Sequence, residues 1–152
     1  MVTARTARLL IALPLCMAQA ACDRPDPALM PDEVLQGELG LTLDDRVHTV
    51  RISTGGGERA APGTLPVRPG DYVQSASADR MLHELAFVLD SIPETARTFL
   101  VRTGQDRSPP LLEYDARFVV SFEGAPEGRY PYTLAGNRGG GGGEIVIAVP
   151  TR

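Results

Sequence analysis

Past residue 45 this chain is cut into short runs of alternating apolar and polar residues, each closed by a turn signal. A chain divided this way must pair its runs as strands, because the runs are too short and of the wrong period for helices. Val47-His48-Thr49-Val50-Arg51-Ile52 puts His48, Val50 and Ile52 on one face and Thr49 and Arg51 on the other. Thr54-Gly55-Gly56-Gly57-Glu58 reads as a loop. Leu65 to Arg68 and Tyr72 to Gln74 are strand-like, joined by the turn dipeptide Pro69-Gly70. Leu82 to Leu89 is a clearer strand, with His83, Leu85 and Phe87 facing one way. Phe118 to Phe122, Tyr130 to Leu134 and Ile145 to Val149 complete the set. The pattern predicts an all-β sandwich of seven or eight strands over residues 45–152, without internal repeats. Its expected core is Val50, Ile52, Val73, Leu85, Phe87, Phe118, Val120, Phe122, Tyr132, Ile145 and Ile147.

Two short helices interrupt the strands. Pro31 and two acids suit the first turn of a helix over residues 31–39, limited by Gly37 and Gly40. Ser91-Ile92-Pro93-Glu94 has capping-box spacing and predicts a second helix to Thr103, stopped by Gly104. Between the last two strands lie Gly136-Asn137-Arg138 and five glycines, Gly139 to Gly143, read as a flexible connection. Arg138 with glycine amides is a weaker candidate for an anion-binding nest, since no Walker lysine or following helix accompanies it.

The N-terminus addresses location. Arg5 and Arg8 precede the apolar run Leu9 to Ala18, and small residues follow to Cys22, the layout of an export signal. The run falls short of the ~20 residues that span a bilayer. Two cut sites compete. Ala18-Gln19-Ala20 suits ordinary cleavage, while Ala20-Ala21-Cys22 resembles a lipobox, with Gln19 in place of the usual leucine-like residue. The preferred reading takes residues 1–21 as a lipoprotein signal, Cys22 as the lipidated N-terminus and residues 22–44 as a tether with a short helical segment. The expected location is the periplasm or cell envelope, with the membrane as partner through the anchor and any protein partner unnamed.

Loss of residues 1–21 moves the net charge from -4 to -6, which excludes nucleic acid as a natural partner. Both cysteines, Cys16 and Cys22, lie at or before the cut, so the folded body has neither a thiol nor a disulfide. The histidine, serine and carboxylate residues form no catalytic pattern, and the expected class is not an enzyme.

From about residue 64 onward the chain resembles the cupredoxins, the small blue-copper sandwiches. The matching pieces are Val67-Arg68-Pro69-Gly70-Asp71-Tyr72-Val73, then Leu82-His83-Glu84-Leu85-Ala86-Phe87 with Ile92-Pro93. Pro109 to Leu112, Arg117 to Val120, Glu127 to Tyr132 and Glu144 to Ile147 follow in order. The resemblance implies a Greek-key sandwich and a copper site of two imidazoles, one thiolate and a weak axial ligand. His83 matches the first histidine, Leu134 stands at the cysteine position, Asn137 at the second histidine, and the axial methionine falls within Gly139 to Gly143. Leucine offers no donor atom and an asparagine amide is a poor copper ligand. The resemblance therefore implies a degenerate copper site and a binding or structural module of the envelope, without a cofactor. The alternative is a copper-handling or electron-transfer protein that keeps His83 as a remnant ligand, with or without His48. The competing reading of His83 is a hydrogen-bonded histidine at the rim of the sandwich, and of His48 a residue at the edge of the core.

Overall fold

The computed structural model describes residues 26–149. Eight strands follow the predicted order, with one addition: β1 (Val47–Thr54), β2 (Glu58–Ala61), β3 (Thr64–Val67), β4 (Tyr72–Ser77), β5 (His83–Phe87), β6 (Arg117–Ser121), β7 (Gly128–Gly136) and β8 (Gly141–Ile147). They form two four-stranded sheets, β2-β1-β4-β6 and β3-β8-β7-β5. Within each sheet one pair is parallel, β1 with β4 and β3 with β8, and the other pairs are antiparallel.

Alternation places the apolar half of each strand between the sheets. Val50, Ile52, Val73, Leu85, Phe87, Val120, Phe122, Tyr132, Ile145 and Ile147 are all buried in one continuous core. Phe118, also expected inside, is only partly covered. The reason is topological, since β6 is an outer strand of its sheet and has a neighbour on one side only. Phe87, Tyr130, Tyr132 and Phe122 meet edge to face, with ring centroids 5.5 to 6.4 Å apart, the arrangement that ring quadrupoles favour.

Helix α1 (Glu33–Leu39) starts one turn signal later than Pro31 suggested. Asp32 is its N-cap, accepting from the Leu35 amide at 2.9 Å, and Gly40 ends it at φ +68. Leu35 and Leu41 pack with Val47 into a small second cluster against Tyr72 and Val119. An Arg117–Asp32 ion pair fastens the same segment to β6. Helix α2 (Glu94–Thr103) buries Ala96, Phe99 and Leu100 and stops at Gly104, φ +67. The expected capping box does not form. Pro93 is the last non-helical residue, so Ser91 sits too early, and its hydroxyl donates instead to the Val88 carbonyl at 2.9 Å.

Two loop expectations are corrected. Only Gly55 to Gly57 turn the chain after β1, and Glu58 opens β2, paired with Thr54. The glycine run is likewise shorter as a loop than expected, since Gly141, Gly142 and Gly143 are strand residues paired with Leu134, Thr133 and Tyr132. Among the described residues no helix is long and apolar enough to cross a membrane.

Candidate functional site

His83 opens β5 and is fully buried. The strand's alternation turns its ring inward on the face that Leu85 and Phe87 share. Both ring nitrogens are taken. Nδ1 lies 2.6 Å from Glu58 Oε2, and Nε2 lies 2.8 Å from Asp79 Oδ1. Ionised carboxylates only accept, so with both in that form each ring nitrogen donates and the ring is an imidazolium. If one carboxyl holds the proton instead, the nitrogen facing it spends its lone pair as acceptor. In either arrangement no nitrogen lone pair is left for another group.

Each carboxylate is itself anchored. Asp79 Oδ2 accepts from the amide and hydroxyl of Thr54 at 2.9 and 2.7 Å, and Oδ1 accepts from the Met81 amide at 2.9 Å. Burial works to raise the Asp79 pKa. The hydrogen bonds from Thr54, Met81 and His83 outweigh burial and hold the carboxyl far below the usual carboxylate range. The Glu58 side chain has no exposed surface. Its second oxygen, Oε1, is buried without a hydrogen-bond partner.

Glycines make room for this carboxylate. A Cβ on Gly136 would lie 2.0 Å from Glu58 Oε1, and one on Gly141 would lie 1.9 Å from the Glu58 carbonyl oxygen. Gly142 and Gly143 meet the Tyr132 carbonyl and hydroxyl at 2.5 Å in the same way. The glycine run is therefore a requirement of close packing where β2 meets β7 and β8. Its one free stretch is the turn Asn137 to Gly140.

The ligand positions implied by the resemblance fall as follows. Gly136 pairs with His83 and Leu134 with Leu85, so Leu134 stands on the His83 face two residues further in. It is buried in the main core. Asn137 follows Gly136 directly and is exposed, as is Arg138. The three positions share one end of the sandwich, yet only His83 and Leu134 have buried side chains. His48 stands at the opposite end. β1 runs from it toward Thr54, the residue that bonds Asp79, so the two histidines cannot share an ion. Cys22 lies outside the described residues.

The donor set does not fit a blue-copper ion. It has no thiolate, and its single imidazole at this end is closed by carboxylates. Glu58 and Asp79 sit on opposite nitrogens of the ring, so their oxygens diverge and do not converge on one point. Among the described residues no group of three or more His, Cys, Asp or Glu side chains is arranged to hold a metal. Sequence reasoning identified His83 and missed Glu58 and Asp79. The one available signal was the pair of short runs on either side of Gly55 to Gly57, a hairpin spacing that would have made Glu58 a strand residue.

No protein-family profile matches the sequence, and no curated protein does. Solved structures do. A purple cupredoxin from Nitrosopumilus maritimus is 21% identical over 66% of this chain and 99% of its own, with a TM-score of 0.45. Plastocyanin from Dryopteris crassirhizoma is 16% identical over 66% of this chain and 99% of its own, at 0.49. A copper-containing nitrite reductase from Thermus scotoductus is 20% identical over 83% of this chain, at 0.50, and this chain spans 27% of it. The fold is that of the cupredoxins, a two-sheet sandwich with one short helix between β5 and β6. At these identities the likeness is one of fold.

Proposed function

We propose that this is an exported, lipid-anchored envelope protein with a cupredoxin fold whose copper-ligand positions have passed to packing and ion pairing. It acts as a binding or structural module and not as an electron carrier. The observation that carries this reading is the occupation of both His83 nitrogens by Glu58 and Asp79, at 2.6 and 2.8 Å. A ring held this way orients two strands and a loop. It does not bind a soft metal at a thiolate-free site.

The test is titration of the purified protein with Cu(II), followed by visible absorption and by proton NMR of the two histidine rings. No intense visible band is expected. The His83 ring signals should keep their width at one equivalent of copper, since paramagnetic broadening acts only close to the ion. Stoichiometric loss of the His83 signals would replace this reading with copper handling through His83. The anchor is tested separately. The motive is Ala20-Ala21-Cys22 followed by a proline-rich stretch. Labelled palmitate is expected in the wild-type protein and not in Cys22→Ser. A mature N-terminus at Ala21 without lipid would instead make the protein a soluble exported one.

A further inference from the structure

The other histidine belongs to a different construction. His48 is almost buried at the end of the sandwich opposite His83, and its Nε2 lies 2.7 Å from Asp71 Oδ2. Asp71 is also buried and accepts from the Arg68 amide at 3.0 Å. Its other oxygen faces Arg46 Nε at 3.5 Å, a distance that leaves this nitrogen buried without a hydrogen-bond partner. These four residues line a cleft of about 280 Å³, whose remaining wall includes Val67 and Ala148.

The cleft has donors left over. Asp71 supplies the single carboxylate and is already shared by His48, Arg46 and the Arg68 amide. Among the described residues the Arg68 guanidinium makes no ion pair, and Nε of Arg46 has no hydrogen-bond partner. With a neutral imidazole, two arginines against one aspartate leave a net positive charge in the cleft. The chain as a whole is acidic, net -4, so this local sign is opposite to that of the molecule. An anion is the ligand class that such a set recognises, because a guanidinium fork matches a carboxylate in both charge and geometry. The apolar wall adds a preference for a short hydrocarbon part. The volume lies at the small end of the range for ligand pockets and suits an acid of a few carbons.

We infer that the cleft between the start of β1 and the end of β3 binds a small aliphatic carboxylate, held by Arg68 and Arg46 with its tail against Val67 and Ala148. The inference is independent of the fate of the copper positions, since no residue of the cleft touches His83. Its failure would leave the His83 reading standing, and the reverse also holds.

The test uses the whole protein and sodium butyrate, followed by proton NMR of the two histidine rings. Saturable shifts of the His48 ring are expected, with the His83 ring unmoved as the internal control. Arg68→Gln changes an exposed side chain outside the core and should weaken binding about tenfold or more. Absence of a saturable shift up to tens of millimolar butyrate would overturn the site. So would equal affinity in wild type and Arg68→Gln. Inorganic phosphate binding more tightly than butyrate would overturn the assignment of the apolar wall and leave a bare anion site.

Discussion

At the scale of single residues the most exacting position is Glu58, a carboxylate whose side chain has no exposed surface. Removing Glu58 leaves the buried Nδ1 of His83 without its partner, at a cost of about 1–3 kcal/mol. Glu58→Ala should lose stability of that order in urea unfolding, while Glu84→Ala, an acid on the opposite face of the His83 strand, should change it by less than about 0.5 kcal/mol. The same contact predicts an unusual glycine sensitivity. Gly141→Ala places a methyl 1.9 Å from a backbone carbonyl, which cannot swing aside as a side-chain tip can. Overpacking of this kind costs about 1–3 kcal/mol or more. Gly140→Ala, one residue earlier, meets its nearest atom at 3.7 Å and should be nearly silent. Equal stabilities for the two alanine variants would disprove the close approach of β2 to β8.

Among the elements, α2 depends on its C-terminal stop more than on its start. Pro93 offers no side-chain cap, whereas Gly104 sits at φ +67 and its amide donates to the Leu100 and Val101 carbonyls. Gly104→Ala should therefore cost about 1–2 kcal/mol through the left-handed conformation, and Ser91→Ala much less. Thermal unfolding of the two variants separates them. Which elements were readable from sequence follows from how local their causes are. The inner faces of β1 and β5 come straight from alternation, because burial repeats every second residue. The stop at Gly104 is equally local. β2 was not readable from alternation, since Glu58-Arg59-Ala60-Ala61 lacks an alternating apolar face and owes its strand to hairpin pairing with Arg51 to Thr54. Gly141 to Gly143 misled for a related reason. Their glycines answer to Glu58 and Gly63, residues far away in sequence, and to Tyr132 across the β7–β8 pairing. His83 was legible as a site position from the resemblance. Its two carboxylate partners come from β2 and from the loop after β4, and no spacing rule links those to a histidine.

For the molecule as a whole, ionisation sets limits at both ends of the pH scale. Burial pushes the phenols of Tyr130 and Tyr132 up to about 12, from an ordinary value of 10.0. A pKa raised by folding means the folded state favours the protonated phenol. That stability is complete below pH 10 and drains away as pH rises toward 12. Alkaline unfolding followed by tyrosinate absorbance should be cooperative in that window. Asp79 acts in the opposite direction, because its folded pKa is depressed. Its contribution is present above the ordinary carboxylate range and is lost only as pH falls through that low folded value. Asp79→Asn should therefore lower stability throughout neutral and alkaline pH and differ least from the wild type in strong acid, where that contribution is already lost. A titration of unfolding against pH for both proteins checks each limit.

The carboxylates on His83 also fix an order of events. Any route from this sequence to a metal site built on His83 has to pass through position 58 or 79 first. A thiol installed at Leu134 would enter a core whose imidazole is already claimed. A histidine at Asn137 would sit on the surface, beyond a strand end fitted around Glu58. Each such change taken alone adds a burden without a ligand field. Freeing the ring first breaks the ion pair on which the strand end is built. Single substitutions therefore leave this arrangement only at a loss of stability.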